Sequence, residues 1–154
     1  MAITNNTDFS AGAILTAQQQ NNFPRGIMAL RTRTSNSGIL SVETVTIAAI
    51  TFTAVANRNY RITYYEPQGV GAVGTTYSDV AIKNGTTTAG TLISLGVNNA
   101  TNTARSSSIV QWVGTFSAGA QNIVATGGPV AGTINFTAGA TFPAFLMVED
   151  LGTA

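Results

Sequence analysis

The sequence contains no cysteine and no histidine. Without cysteine there is no disulfide framework, and packing alone must hold the fold together. Without either residue, Ser–His and Cys–His nucleophilic catalysis and the usual zinc sites are excluded. Charge is also scarce. Asp, Glu, Lys and Arg make up 8% of the residues, against about 25% in an ordinary globular chain. The seven basic residues are spread along the chain and the net charge is +1, so no basic track for nucleic acid is expected. No apolar run approaches the roughly 18–20 residues that cross a bilayer. Residues 1–6 lack the basic end and apolar block of a signal peptide, and synthesis in a reducing cytoplasm is expected. Net charge keeps proteins apart in solution. A chain this neutral either meets other protein over much of its surface or carries a hydroxyl-rich exterior.

What is present is strand pattern. In residues 50–54, Ile50, Phe52 and Ala54 alternate with Thr51 and Thr53. In residues 60–65, Tyr60, Ile62 and Tyr64 alternate with Arg61, Thr63 and Tyr65. Period-two alternation of β-branched and aromatic residues reads as strand. The polar Ala56-Asn57-Arg58-Asn59 between them predicts a hairpin over residues 47–66, with asparagine at a left-handed position. Further strands are expected over 27–34, 39–46, 77–83, 91–95, 105–116, 121–126, 133–137 and 141–150, with 121–126 and 133–137 paired around Gly127-Gly128-Pro129. In the first of these, Met28 and Leu30 share one face and Arg31 and Arg33 the other. Residues 66–76 read as a glycine-rich loop. In the last strand, Phe142, Ala144, Leu146 and Val148 share one face while Phe145 and Met147 share the other. A strand apolar on both faces is covered on both, by a second sheet of its own subunit or by a neighbouring subunit. In the polar start, Thr16-Ala17-Gln18-Gln19 fits a capping box for one helical turn ending before Phe23-Pro24. The 154 residues thus read as one all-β antiparallel β-sandwich of jelly-roll type over residues 26–154. A short irregular arm occupies residues 1–25, either docked on a neighbour or disordered.

Carboxylates remain as candidate acids and bases: Asp8, Glu43, Glu66, Asp79, Glu149 and Asp150. A glycosidase needs two of them roughly 5–10 Å apart, and no spacing in the sequence pairs them. Glu149 and Asp150 are adjacent in a strand and should face opposite ways. No Asp-x-Asp calcium pattern occurs, and the glycines at 69, 71 and 74 lack the helix a phosphate loop requires. Trp112 near Tyr64 or Tyr65 reads either as a sugar-stacking platform or as core. Arg58, Arg61 and Glu66 are candidates for cross-strand or intersubunit ion pairs. Arg31, Arg33 and Arg61 are candidates for setting subunit register. No catalytic residue, metal or cofactor is expected.

Three stretches carry a resemblance: Phe23-Pro24-Arg25-Gly26, the run from Thr51-Phe52-Thr53 to Arg61-Ile62-Thr63, and Pro143-Ala144-Phe145-Leu146-Met147-Val148-Glu149-Asp150-Leu151-Gly152. Together they resemble small virion structural proteins of tailed bacteriophages, a group that includes head-decoration (cement), head-fibre and minor tail proteins. The resemblance implies a homotrimeric jelly roll on the outer surface of the virion capsid, with the major capsid protein and other virion proteins as partners. It implies no catalytic residues to carry over, and composition already argues against nucleic-acid and membrane partners. Under it, Ile3, Phe9, Ile14, Leu15, Phe23 and Arg25 are the expected capsid-docking residues of the arm. Arg61, Phe145 and Met147 are the expected trimer contacts. The other reading is a tail, baseplate or fibre module that binds a host receptor through residues 67–76 and 96–103, with Tyr65 or Tyr77 stacking.

Overall fold

The computed structural model describes residues 17–154 apart from Val73 and Thr103. One short helix, α1 (Ala17–Asn22), precedes ten strands: β1 (Gly26–Arg33), β2 (Ile39–Leu40), β3 (Thr44–Ala54), β4 (Arg58–Gly71), β5 (Ser78–Asn84), β6 (Thr91–Asn98), β7 (Arg105–Gly114), β8 (Gly119–Pro129), β9 (Ile134–Thr137) and β10 (Ala144–Thr153). They form two antiparallel sheets. In the first, β4 is flanked by β7 on one side and by β10 and β9 in line on the other; β1 and β2 complete that edge. The second sheet has the order β3-β8-β5-β6. With β1/β2 and β9/β10 each counted as one interrupted strand, eight strands pass from sheet to sheet in jelly-roll fashion, except that β5 and β6 follow each other in the second sheet. The sheets also touch along one side. There the Ser94 hydroxyl of β6 donates to the Gln111 carbonyl of β7 at 3.2 Å, and the Asn98 amide donates to the Ser106 carbonyl at 3.0 Å.

The expected hairpin over 47–66 is not a hairpin. β3 pairs with β8, whereas β4 pairs with β10 and β7. The turn, with Asn57 at φ 60°, instead carries the chain from one sheet to the other. The two alternating stretches face each other across the core: Phe52 and Tyr60 ring centroids lie 5.2 Å apart. Lateral pairing and face-to-face packing need the same alternation, so the pattern does not separate them. For the same reason residues 121–126 and 133–137 do not pair. β8 runs on through Gly127-Gly128-Pro129 in one sheet, while β9 lies in the other.

The predicted glycine-rich loop is also partly strand. β4 continues to Gly71 past a bulge between Glu66 and Gly69. A side chain at Gly69 would lie 2.5 Å from the Asn98 Oδ1, so glycine there permits close approach of two strands. In β1 a bulge between Ile27 and Ala29 turns Met28 onto the core, while Leu30 faces outward opposite Met147. Met28 and Leu30 therefore do not share a face. Phe142 lies outside β10, half-exposed and bridged to Gly139, so it does not join Ala144, Leu146 and Val148.

Between the sheets, Ile47, Ile50, Phe52, Tyr60, Ile62, Val80, Ile82, Ile123, Phe136, Leu146 and Val148 form the core. Each such side chain contributes about 1.5–3 kcal/mol through removal from water. One polar chain crosses this layer. Arg33 donates to both Glu66 oxygens at 2.7 and 2.8 Å. The Tyr64 hydroxyl donates to Glu66 at 2.9 Å and meets the Thr46 hydroxyl of the other sheet at 2.8 Å. Glu66 is fully buried. Burial raises its pKa above 4.5 against the opposing pull of Arg33 and Tyr64. Burial and then the Glu66 charge push the Tyr64 phenol well above 10.0, so it acts as a neutral donor.

Candidate interaction surfaces

The outer face of the first sheet is built in three rows by cross-strand register. They are Ile27–Glu149–Arg61–Val113, Leu30–Met147–Thr63–Gln111 and Thr32–Phe145–Tyr65–Ile109. Every second residue of β10, β4 and β7 points here because the side-chain period of a strand is two; in β1 the bulge lengthens the first step to three, from Ile27 to Leu30. Ile109 is 65% exposed, Ile27 59%, Val113 56% and Leu30 52%. Phe145 and Met147 are half-buried beside them, and the Phe145 and Tyr65 rings sit 5.4 Å apart. Within these rows the charged side chains are Arg61 and Glu149, joined at 2.8 and 3.0 Å. The ion pair leaves the face close to neutral. Seven of the twelve side chains are apolar or aromatic, interspersed with Thr32, Thr63, Gln111 and the ion pair; exposed apolar side chains grouped on one face mark an interaction surface more often than free solvent exposure.

Arg61, Phe145 and Met147 therefore lie together on one face. Sequence reasoning missed Tyr65, Ile109, Val113, Leu30 and Glu149, which share it. The signal that would have found them is strand order, since only β10 and β4 as neighbours bring Phe145 opposite Tyr65.

The remaining ion pairs are internal to the subunit. Arg58 pairs with Asp150 at 2.6 Å, Arg33 with Glu66 at 2.7 Å and Lys83 with Glu43 at 2.6 Å. Glu66 is thus paired with Arg33, not with Arg58 or Arg61, and Arg33 is turned inward, away from any register role. Arg31 is exposed. Glu149 and Asp150 face opposite ways, as the sequence predicts. Trp112 and Tyr65 point to opposite sides of the first sheet, because Trp112 opposes the buried Ile62 and Tyr65 opposes the exposed Ile109. Trp112 packs on Phe116 at 5.0 Å, half-buried against the core; it forms no platform with Tyr65. Tyr64 is wholly buried.

Of the arm residues, Ile3, Phe9, Ile14 and Leu15 lie outside the described residues, as does Asp8. Phe23 and Arg25 are exposed just beyond α1. The root of the arm is held by Arg58, whose guanidinium donates to the Asn21 carbonyl and, at 2.5 Å, to the Phe23 carbonyl.

The outer face of the second sheet carries a shallow depression of about 280 Å³ lined by Glu43, Asp79, Lys83, Leu92, Leu95 and Pro129 among others. Burial alone would raise the Glu43 pKa. The Lys83 and Thr126 hydrogen bonds and the Lys83 charge outweigh it, so the carboxyl titrates below 4.5.

No protein-family model matches the chain, and no curated protein matches it in sequence.

Proposed function

We propose that this chain is a non-enzymatic virion structural protein that assembles as a homotrimer and decorates the outer surface of a mature phage head. The observation that carries this reading is the apolar outer face of the first sheet, with Phe145, Met147, Tyr65 and Ile109 around one neutralised ion pair. A second copy seated there would bury side chains that are costly to leave wet, and an aromatic cluster supplies the anchors such contacts use. The sparse charge of the whole chain and the jelly-roll architecture, one used by viral capsid domains, point the same way. The sequence resemblance described above supplies the location.

The mechanism is mass action. A trimer that binds only the expanded lattice stabilises that lattice over its alternatives. Three arms on one body act together through effective concentration, so each contact is allowed to be weak. The test is co-sedimentation of the purified protein with expanded and unexpanded phage heads. Binding to expanded heads alone, with a higher temperature of head disruption, is expected. Absence of binding to heads together with binding to host envelope would replace this reading with the tail or fibre module. One observation favours that second reading. At one end of the sandwich the Gly71 backbone closely approaches both Ala100 and Thr75, and Tyr77 stands 40% exposed.

A further inference from the structure

Arg58 is 3% exposed yet sits at the first position of β4, where a turn would tolerate almost any polar residue. Its side chain makes four donor contacts. Two reach Asp150, from Nε at 2.6 Å and Nη2 at 2.8 Å; two reach the Asn21 and Phe23 carbonyls at the end of α1. Those carbonyls are groups a helix end leaves without an internal partner. Asp150 is fixed in turn, accepting the Gly152 amide at 2.8 Å. Gly152 has φ +105°, and a Cβ there would lie 3.0 Å from the Asn22 carbonyl oxygen. A buried cation and a glycine cradle thus converge on residues 21–24, Arg58 on Asn21 and Phe23 and Gly152 on Asn22 and Pro24.

We propose that Arg58, braced by Asp150, is a positioning residue that latches the root of the N-terminal arm to one end of the sandwich. That end carries the 55–57, 85–90 and 115–118 turns. Across residues 17–25 and these turns the charged residue is Arg25; threonine, alanine and Phe23 make up much of the rest. The partner it fits is therefore an uncharged, mixed polar and apolar protein surface, bound with little salt dependence. The clause that this end faces the shell rests on the decoration reading; the latch itself does not.

The test uses full-length protein and trypsin, because cleavage after the exposed Arg25 requires the chain around it to open locally and should speed up when the root is released. Arg58→Met/Asp150→Asn removes both charges and keeps an acceptor for Gly152. It is expected to be cut after Arg25 at least about tenfold faster than wild type while keeping a cooperative unfolding transition. Arg61→Met, which breaks the exposed pair, is expected to be cut at the wild-type rate. Equal rates for the double variant and wild type would overturn the latch. Should the double variant fail to fold, Gly152→Ala probes the same seat without touching a charge. Faster cleavage supports the latch and an unchanged rate overturns it. Thr86→Glu/Ser117→Glu at the arm end and Thr76→Glu/Asn99→Glu at the opposite end then report which end meets expanded heads. Loss confined to the first pair supports the assignment, and loss confined to the second overturns it. Wild-type protein that ignores heads altogether removes the decoration reading, while the cleavage rates still decide the latch.

Discussion

At the residue scale, the polar chain Arg33–Glu66–Tyr64–Thr46 ties the two sheets together. Tyr64→Phe removes the one group that joins Glu66 to Thr46, leaving Glu66 to Arg33 and Thr46 to the Ala125 carbonyl, and a loss of about 1–3 kcal/mol is expected, read from urea unfolding midpoints. The pH dependence has two opposite parts. The folded pKa of Glu66 is raised above 4.5, so the folded state holds the extra proton. The stability linked to this group rises as pH falls through the folded pKa towards the unfolded value. The folded pKa of Glu43 is lowered; its contribution is present above 4.5 and is lost as pH falls through the folded value. Glu66→Gln is therefore expected to flatten the rise on the acid side of neutrality, and Glu43→Gln to flatten the fall below it. Unfolding midpoints across the acid range check both. A Glu66→Gln profile that parallels wild type would contradict the assignment.

At the element scale, alternation revealed most strands but not their neighbours; the strand expected over 39–46 is broken at 41–43 into β2 and the start of β3. The inward positions of β5 and β7 follow from the sequence: Val80 and Ile82 are fully buried, Val110 is nearly so, and Ile109 and Val113 are exposed. Pairing did not follow, because a strand that faces another across a core and one that lies beside it have the same one-sided pattern. The β3–β4 arch is the clearest case. That Phe145 and Met147 face away from the core was legible because β10 is apolar on both faces, and the outward position of Arg61 followed from its alternation with Tyr60 and Ile62 on β4. Their neighbours on β1, β4 and β7 depend on the sheet order, which is set by contacts distant in sequence. The Arg58 latch was hidden for a different reason, since a lone arginine in a polar turn carries no mark of burial. Two substitutions test the arch and the bulge. Phe52→Ala removes a ring packed against Tyr60 and against Phe116, whose centroid lies 5.6 Å away, and is expected to cost about 3–5 kcal/mol. Gly69→Ala drives a methyl onto Asn98 and is expected to cost about 1–3 kcal/mol. Thermal or urea unfolding measures both, and a neutral Gly69→Ala would contradict the close approach of β4 to that asparagine.

At the scale of the whole molecule, sparse charge and a broad apolar sheet face have one explanation in common. On the proposed reading, that explanation is a subunit covered by protein. A closed ring of identical subunits covers the same patch on every copy. Sedimentation velocity of the purified chain at micromolar concentration tests this most directly. Wild type is expected at three times the 15.8 kDa subunit mass, and Met147→Glu, which places a charge at the centre of the face, is expected at the subunit mass with its sheets intact. Wild-type protein that runs as a single subunit, unchanged by the substitution, would contradict the account.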